Sequence, residues 1–142
     1  MNFFIVIGMN KNLFEKLLIL RSAGIGPARY NELLRRFDGD AVAAATSLNA
    51  DTSHRDTVMR EMARAAELNI HYICDDDELY PAALRAAKNH PPVLTARGNL
   101  DTLRRRAVAM VGTRHATAAG MEFTANLAAE FASHGLVVVR SE

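Results

Sequence analysis

The sequence has 142 residues but a single cysteine, no long apolar run and no surplus of either charge. Each lack excludes something. Cys74 alone cannot form an internal disulfide, and one cysteine builds no zinc site of the common kind. The five histidines, at 54, 71, 90, 115 and 134, show no metal-ligand spacing, so no metal and no cofactor is expected. A reducing, cytoplasmic setting fits this cysteine usage. With 17 basic and 16 acidic residues, the formal net charge is +1. That balance gives no global attraction to nucleic acid or to an anionic membrane, so any anion site must come from local placement of charge. The apolar stretch "FFIVIGM" at 3–9 is far below the roughly 20 residues of a membrane span. No basic region precedes it and no clear cleavage site follows, so a signal peptide is not expected. It is read as a strand, or as an upstream extension if Met9 is the true start.

What is present suffices for a core. The sequence is 49% hydrophobic and 23% charged, within the globular range. Its length suits one ordinary domain, or a small domain with part of another.

The first half reads as helical. In "KNLFEKLLILRSAGIGPARYNELLRRFDGD" (11–40), Leu13, Leu17, Leu18 and Leu20 recur at helical spacing. Tyr30, Leu33, Leu34 and Phe37 form a cleaner stripe at i, i+3, i+4, i+7. Between them, Gly24 and Gly26 permit a tight turn and Pro27 is pre-set for the first position of a helix. Such a pair is either a helix–hairpin–helix, whose turn can hold a phosphate, or a plain αα-corner with glycines for close packing. A further helix is expected at about 53–69. Ser53 and Asp56 make a capping-box-like start, and Val58, Met62, Ala65 and Ala66 share one face. This gives a helical N-terminal domain over 1–72 and a different domain over 73–142.

Strands are expected at 70–74, at 93–97 beyond a rigid "HPP" turn, at 107–111 and at 136–139. The acidic "DDDE" (75–78) lacks the ligand spacing of a calcium loop and is read as a solvated turn. A helix over about 118–133 is expected to bury Met121, Ala125, Ala128 and Phe131 or Ala132. Gly135 suits the position just past its end. "LVVV" (136–139) is apolar throughout, as in a parallel sheet buried on both faces. Its expected sheet partners are the strands at 93–97 and 107–111.

Residues 107–139 therefore spell strand, glycine turn, helix, glycine, strand: a βαβ unit. In such a unit the loop after the first strand lies at the carboxyl edge of the sheet, where open α/β sheets bind ligands. Here that loop is "GTRHAT" (112–117). Arg114 either clamps a phosphate beside the helix N-terminus, with two-pronged geometry, or pairs with a nearby carboxylate. The loop is neither G-x-G-x-x-G nor a Walker A sequence.

"YPAALRAAKNHPPVLTARGN" (80–99) and "AVAMVGTRHATAAGMEFTANLAAEFASHGLVVV" (107–139) closely resemble the bacterial DNA-processing protein A family, DprA or Smf. The order is specific: Y-P-x-x-L, then P-P-x-L with a glycine shortly after, V-G-x-R before an alanine-rich helix, then G-x-V-V. The front end, "LLILRSAGIGPARYNELLRRF", resembles that family's N-terminal helical domain. The resemblance covers about residues 13–139. It implies an α/β fold, with a helical (SAM or helix–hairpin–helix-like) domain followed by a Rossmann-like parallel sheet. It also implies binding of single-stranded DNA largely without sequence preference, protection of incoming strands in natural transformation, help in loading the RecA recombinase, homodimer formation, and no enzymatic activity. It places Arg114 in the DNA-binding pocket with Gly112 and Thr113 in the turn around it. Thr117 adds a hydroxyl to the site or caps the helix.

Where the family continues with a serine–glycine turn and S-G-x-A-x-G-I-D, this sequence reads "VVVRSE". The expectation is a member truncated within the Rossmann-like domain, with the RecA and dimer surfaces in doubt. An inert fragment is one alternative. The other is a related nucleotide-hydrolysing enzyme, whose P-G-G-x-G-T-x-x-E signature is absent.

Overall fold

The computed structural model describes residues 12–49 and 51–140; the expected strand at 3–9 and the residues Ser141 and Glu142 lie outside them. The chain divides into two compact units, residues 1–100 and 101–142. Together they form an α/β protein: N-terminal helices, a small antiparallel sheet and a small parallel sheet, the last being the βαβ start of a Rossmann-like domain.

Among the described residues the first unit holds four helices, a hairpin and a fifth, one-turn helix within the hairpin's connection. Helix α1 (Leu13–Leu20) buries four consecutive residues, Lys16, Leu17, Leu18 and Ile19. It is thus enclosed on more sides than a simple amphipathic stripe would be. Pro27 opens α2 (Pro27–Arg36) at its first turn, as the sequence anticipates. Tyr30 of the α2 stripe is fully buried, with Leu33, Leu34 and Phe37 packed partly against the same core. Helix α3 (Ala41–Ser47) is absent from the sequence-based expectation. Its signal was Asp40, whose carboxylate accepts from the Val42 and Ala43 N–H groups at 2.9 and 3.1 Å. Helix α4 (Thr52–Glu67) starts one residue earlier than expected. Its cap is Asp51, which accepts from the His54 N–H at 2.8 Å, rather than Ser53. Val58 and Ala65 are buried and Met62 is half-buried, whereas Ala66 faces solvent.

Strand β1 (His71–Cys74) pairs antiparallel with β2 (Val93–Ala96), Tyr72 opposite Thr95. The strand at 93–97 therefore does not join those at 107–111 and 136–139. Pro91 and Pro92 turn the chain back towards its near neighbour in sequence, and an antiparallel hairpin satisfies both backbones locally. Tyr72 and Val93 pack against the helical core. The short helix α5 (Ala82–Arg85) lies between the two strands.

The acidic loop after β1 is committed piece by piece. The Lys16 ammonium, only 6% exposed, donates to both oxygens of Asp76 at 2.7 and 2.8 Å. Asp77 accepts from the Cys74 N–H at 2.7 Å. Asp75 faces the His90 ring at 3.5 Å. Arg85 donates to the Asp75 and Asp77 carbonyls. The loop is an ordered structural turn, not merely a solvated one. Burial pushes the Cys74 thiol up to about 12 against the opposing pull of Lys16. It stays neutral, and a neutral thiol is a poor nucleophile.

In the second unit, β3 (Ala107–Ala109) and β4 (Val137–Val139) pair in parallel, Ala107 opposite Val137 and Ala109 opposite Val139. Helix α6 (Ala118–Ser133) crosses between them. Gly135, at φ 79°, ends α6 in the left-handed conformation that glycine adopts without penalty. The Gly135 N–H bonds the Ala132 carbonyl and the Leu136 N–H bonds that of Phe131, both at 3.0 Å, which closes a Schellman cap. Arg105 donates to the Gly135 carbonyl at 2.8 Å, fixing the cap beside the entry of β3. The helix presents Leu127, Ala128 and Phe131 as its half-buried face. Of the two alternatives at its end, Phe131 is the one turned inward and Ala132 is exposed; Met121, 60% exposed, and Ala125 are exposed against expectation.

Candidate nucleic-acid interface

The loop from β3 to α6 lies at the carboxyl edge of the parallel pair. The ladder extends one step past β3 through the Met110 N–H, which donates to the Val139 carbonyl at 2.8 Å. The chain then leaves the sheet: Val111 is 90% exposed, and Gly112, Thr113, Arg114, His115, Ala116 and Thr117 are all exposed. Two hydroxyls shape the turn. Thr113 Oγ1 accepts from the His115 N–H at 3.3 Å, a local side-chain turn. Thr117 is the N-cap of α6, with Oγ1 accepting from the Gly120 N–H at 3.1 Å. Of the two roles open to Thr117, the structure shows the cap. That leaves the Ala118 and Ala119 N–H groups at the positive end of a 16-residue helix.

Arg114, three residues before the Thr117 cap, is exposed and has no hydrogen bond or ion pair among the described residues. The alternative of a carboxylate-paired loop arginine is therefore not what the structure holds. An exposed guanidinium with no partner among the described residues is available to an external anion. The structure brings Gly112, Thr113, Arg114 and Thr117 onto one loop. It adds a residue that sequence reasoning missed: Arg140 follows β4 directly, and the register Ala109 opposite Val139 puts it at the same sheet edge. The signal lies in the parallel pairing of 136–139 with 107–111, which carries the residue after 139 to the edge of the 112–117 loop. Arg105 and Arg106 enter β3 from the opposite edge, where Arg105 serves the α6 cap. Among the described residues no group of three or more His, Cys, Asp or Glu side chains is placed to hold a metal ion. Among them, too, no helix is long and apolar enough to cross a membrane.

Gly112 has a negative φ, and a Cβ built on it would meet nothing within 4 Å. Its own fold does not need glycine there, so the open backbone suits close approach by a ligand. Gly112→Ala should leave the circular dichroism and unfolding midpoint of the chain unchanged while weakening oligonucleotide binding. Equal binding by both proteins would remove Gly112 from the site.

A parallel βαβ unit of this kind is the opening part of a Rossmann-like domain. A sequence profile of the family described as DNA recombination-mediator protein A matches residues 71–141. The chain is also 30% identical over 108 residues to the DNA processing protein DprA of Bacillus subtilis (strain 168), an alignment covering 75% of this chain and 36% of that protein. The chain belongs to the DNA-processing protein A family, and it spans about a third of the length of the curated relative it matches.

Proposed function

We propose that the chain takes part in DNA processing by binding single-stranded DNA through the 111–117 loop, without catalysing a reaction. The observation that carries this is Arg114, exposed and without a partner among the described residues, beside the capped N-terminus of α6. Gly112 supplies the open approach, Thr113 shapes the turn, Thr117 fixes the helix end, and Arg140 adds charge at the same edge. The net charge of +1 offers little long-range attraction, so binding rests on these local contacts. A helix N-terminus, open backbone and guanidinium match phosphate oxygens, so binding through the sugar–phosphate backbone without sequence preference is expected.

Membership of the family supports the wider role: protection of incoming strands in the cytoplasm during transformation, delivery to the RecA recombinase, and pairing with a second copy of the chain. We assign no surface for the last two among the described residues.

The test is fluorescence anisotropy with a labelled thymidine oligonucleotide across a salt series. Binding should weaken as salt rises, with a log–log slope of about −0.7 for each phosphate contacted. A mixed-sequence strand should bind equally well. No binding at low salt would overturn the proposal.

A further inference from the structure

A groove of about 1120 Å³ opens in the helical unit at the turn between α1 and α2. Its floor is apolar: Ile25, Leu33 and Phe37 line it while packing on the core beneath. Its rim is charged, and α2 sets the spacing. Residues 29, 32, 33 and 36 recur at i, i+3, i+4, i+7 and share one face. Arg29 and Arg36 are thus separated by about 10 Å along the helix axis.

The ion pairing on this rim is selective. Arg21, also lining the groove, is held by Glu61, with Nε to Oε2 at 2.8 Å and the terminal nitrogen to Oε1 at 2.7 Å. That pair of hydrogen bonds draws the Glu61 carboxyl below its ordinary range. Asp51 is turned to the His54 N–H as the cap of α4. Arg29 and Arg36 are exposed, and neither has a hydrogen bond or ion pair among the described residues. Glu32 stands between them at spacings suited to pairing, yet bonds to neither. Two uncommitted guanidiniums above an apolar floor complement a ligand that is anionic at regular intervals and flat and apolar between. A single strand of nucleotides has that form, its phosphates meeting guanidiniums and its bases lying on apolar side chains.

We propose that this groove is a second, weaker contact for single-stranded nucleic acid. Arg29 and Arg36 hold phosphates, and Phe37 with Leu33 lies beneath a base. The proposal rests on the reading that the chain binds single-stranded DNA, but at a site separate from the 111–117 loop.

Amide chemical shifts of the full chain, followed as a short thymidine oligonucleotide is added, report both sites at once. Signals from residues 24–37 should move along with those from 111–118. The double variant Arg29→Ala/Arg36→Ala should lower affinity about three- to tenfold and reduce the salt slope by about 1.4, two phosphates' worth. Glu32→Gln, which removes a repelling carboxylate from an exposed position, should raise affinity about twofold. Movement confined to 111–118 would overturn the groove and leave the loop assignment standing. Movement confined to 24–37 would support the groove and overturn the loop. Absence of movement in both regions overturns both. If a polyglutamate peptide moves 24–37 and the oligonucleotide does not, the groove serves an acidic protein segment and the proposal is wrong.

Discussion

Arg114→Ala should bind a labelled single-stranded oligonucleotide about ten- to a hundredfold more weakly than the parent chain at low salt. The size follows from the loss of a charge-assisted hydrogen bond, worth about 1.5–3 kcal/mol. The salt slope should fall by about 0.7, one phosphate contact. Arg114→Lys should restore the slope but only part of the affinity, because an ammonium keeps the charge and loses the fork. Folding should be unaffected, since Arg114 is exposed and bonds to nothing among the described residues. Unchanged affinity and slope in Arg114→Ala, measured against an unchanged circular-dichroism spectrum, would overturn the assignment.

The largest stability effect is expected at Tyr30, and its sign depends on the replacement. The ring is fully buried among Leu17, Leu18, Ile19, Ala44, Ala45 and Val58. Tyr30→Ala should cost about 3–5 kcal/mol through lost burial and the cavity left behind, a large part of the roughly 5–15 kcal/mol of a typical domain. The hydroxyl is different. It is buried and has no hydrogen-bond partner among the described residues. Burial, first of all, and the nearby Asp75 hold the phenol well above its ordinary range and so in its neutral form. An unmatched buried hydroxyl costs about 1–3 kcal/mol. Tyr30→Phe should therefore equal or exceed the parent chain in urea unfolding. A loss of more than about 1 kcal/mol on Tyr30→Phe would show that the hydroxyl has a partner, such as a buried water.

The parts legible in the sequence were those with strong local signals. The α2 stripe has regular 3.6-residue spacing over large side chains, and Pro27 and Gly135 mark helix ends by backbone chemistry alone. The apolar β-branched run 136–139 announced a parallel strand. Alanine-rich segments were harder. In α3, "AVAAATS" carries almost no amphipathic contrast, so only the Asp40 cap could have revealed it. In α6, alanines surround Met121 and Phe131, and small residues do not say which face turns inward. The structure chose Leu127, Ala128 and Phe131, leaving Met121 and Phe123 in solvent.

Strand partners were not legible either. An apolar run states that a strand exists, not what lies beside it, and 93–96 went to β1. At the candidate site, the type and place of Arg114 were readable from the βαβ pattern. That no carboxylate claims it is a fact of three dimensions, as is the neighbourhood of Arg140.

Three adjacent aspartates would pass as interchangeable in any substitution scheme based on residue type. In the folded chain they are not. Asp76 reaches the enclosed Lys16 ammonium, Asp77 meets the Cys74 N–H, and Asp75 faces His90. A one-residue slip of the hairpin would still bring a carboxylate towards Lys16, because both neighbours of Asp76 are aspartates, but it would displace the Cys74 N–H and His90 from their partners. One residue type thus holds three different partners, and replacing any one of the three aspartates removes a different contact.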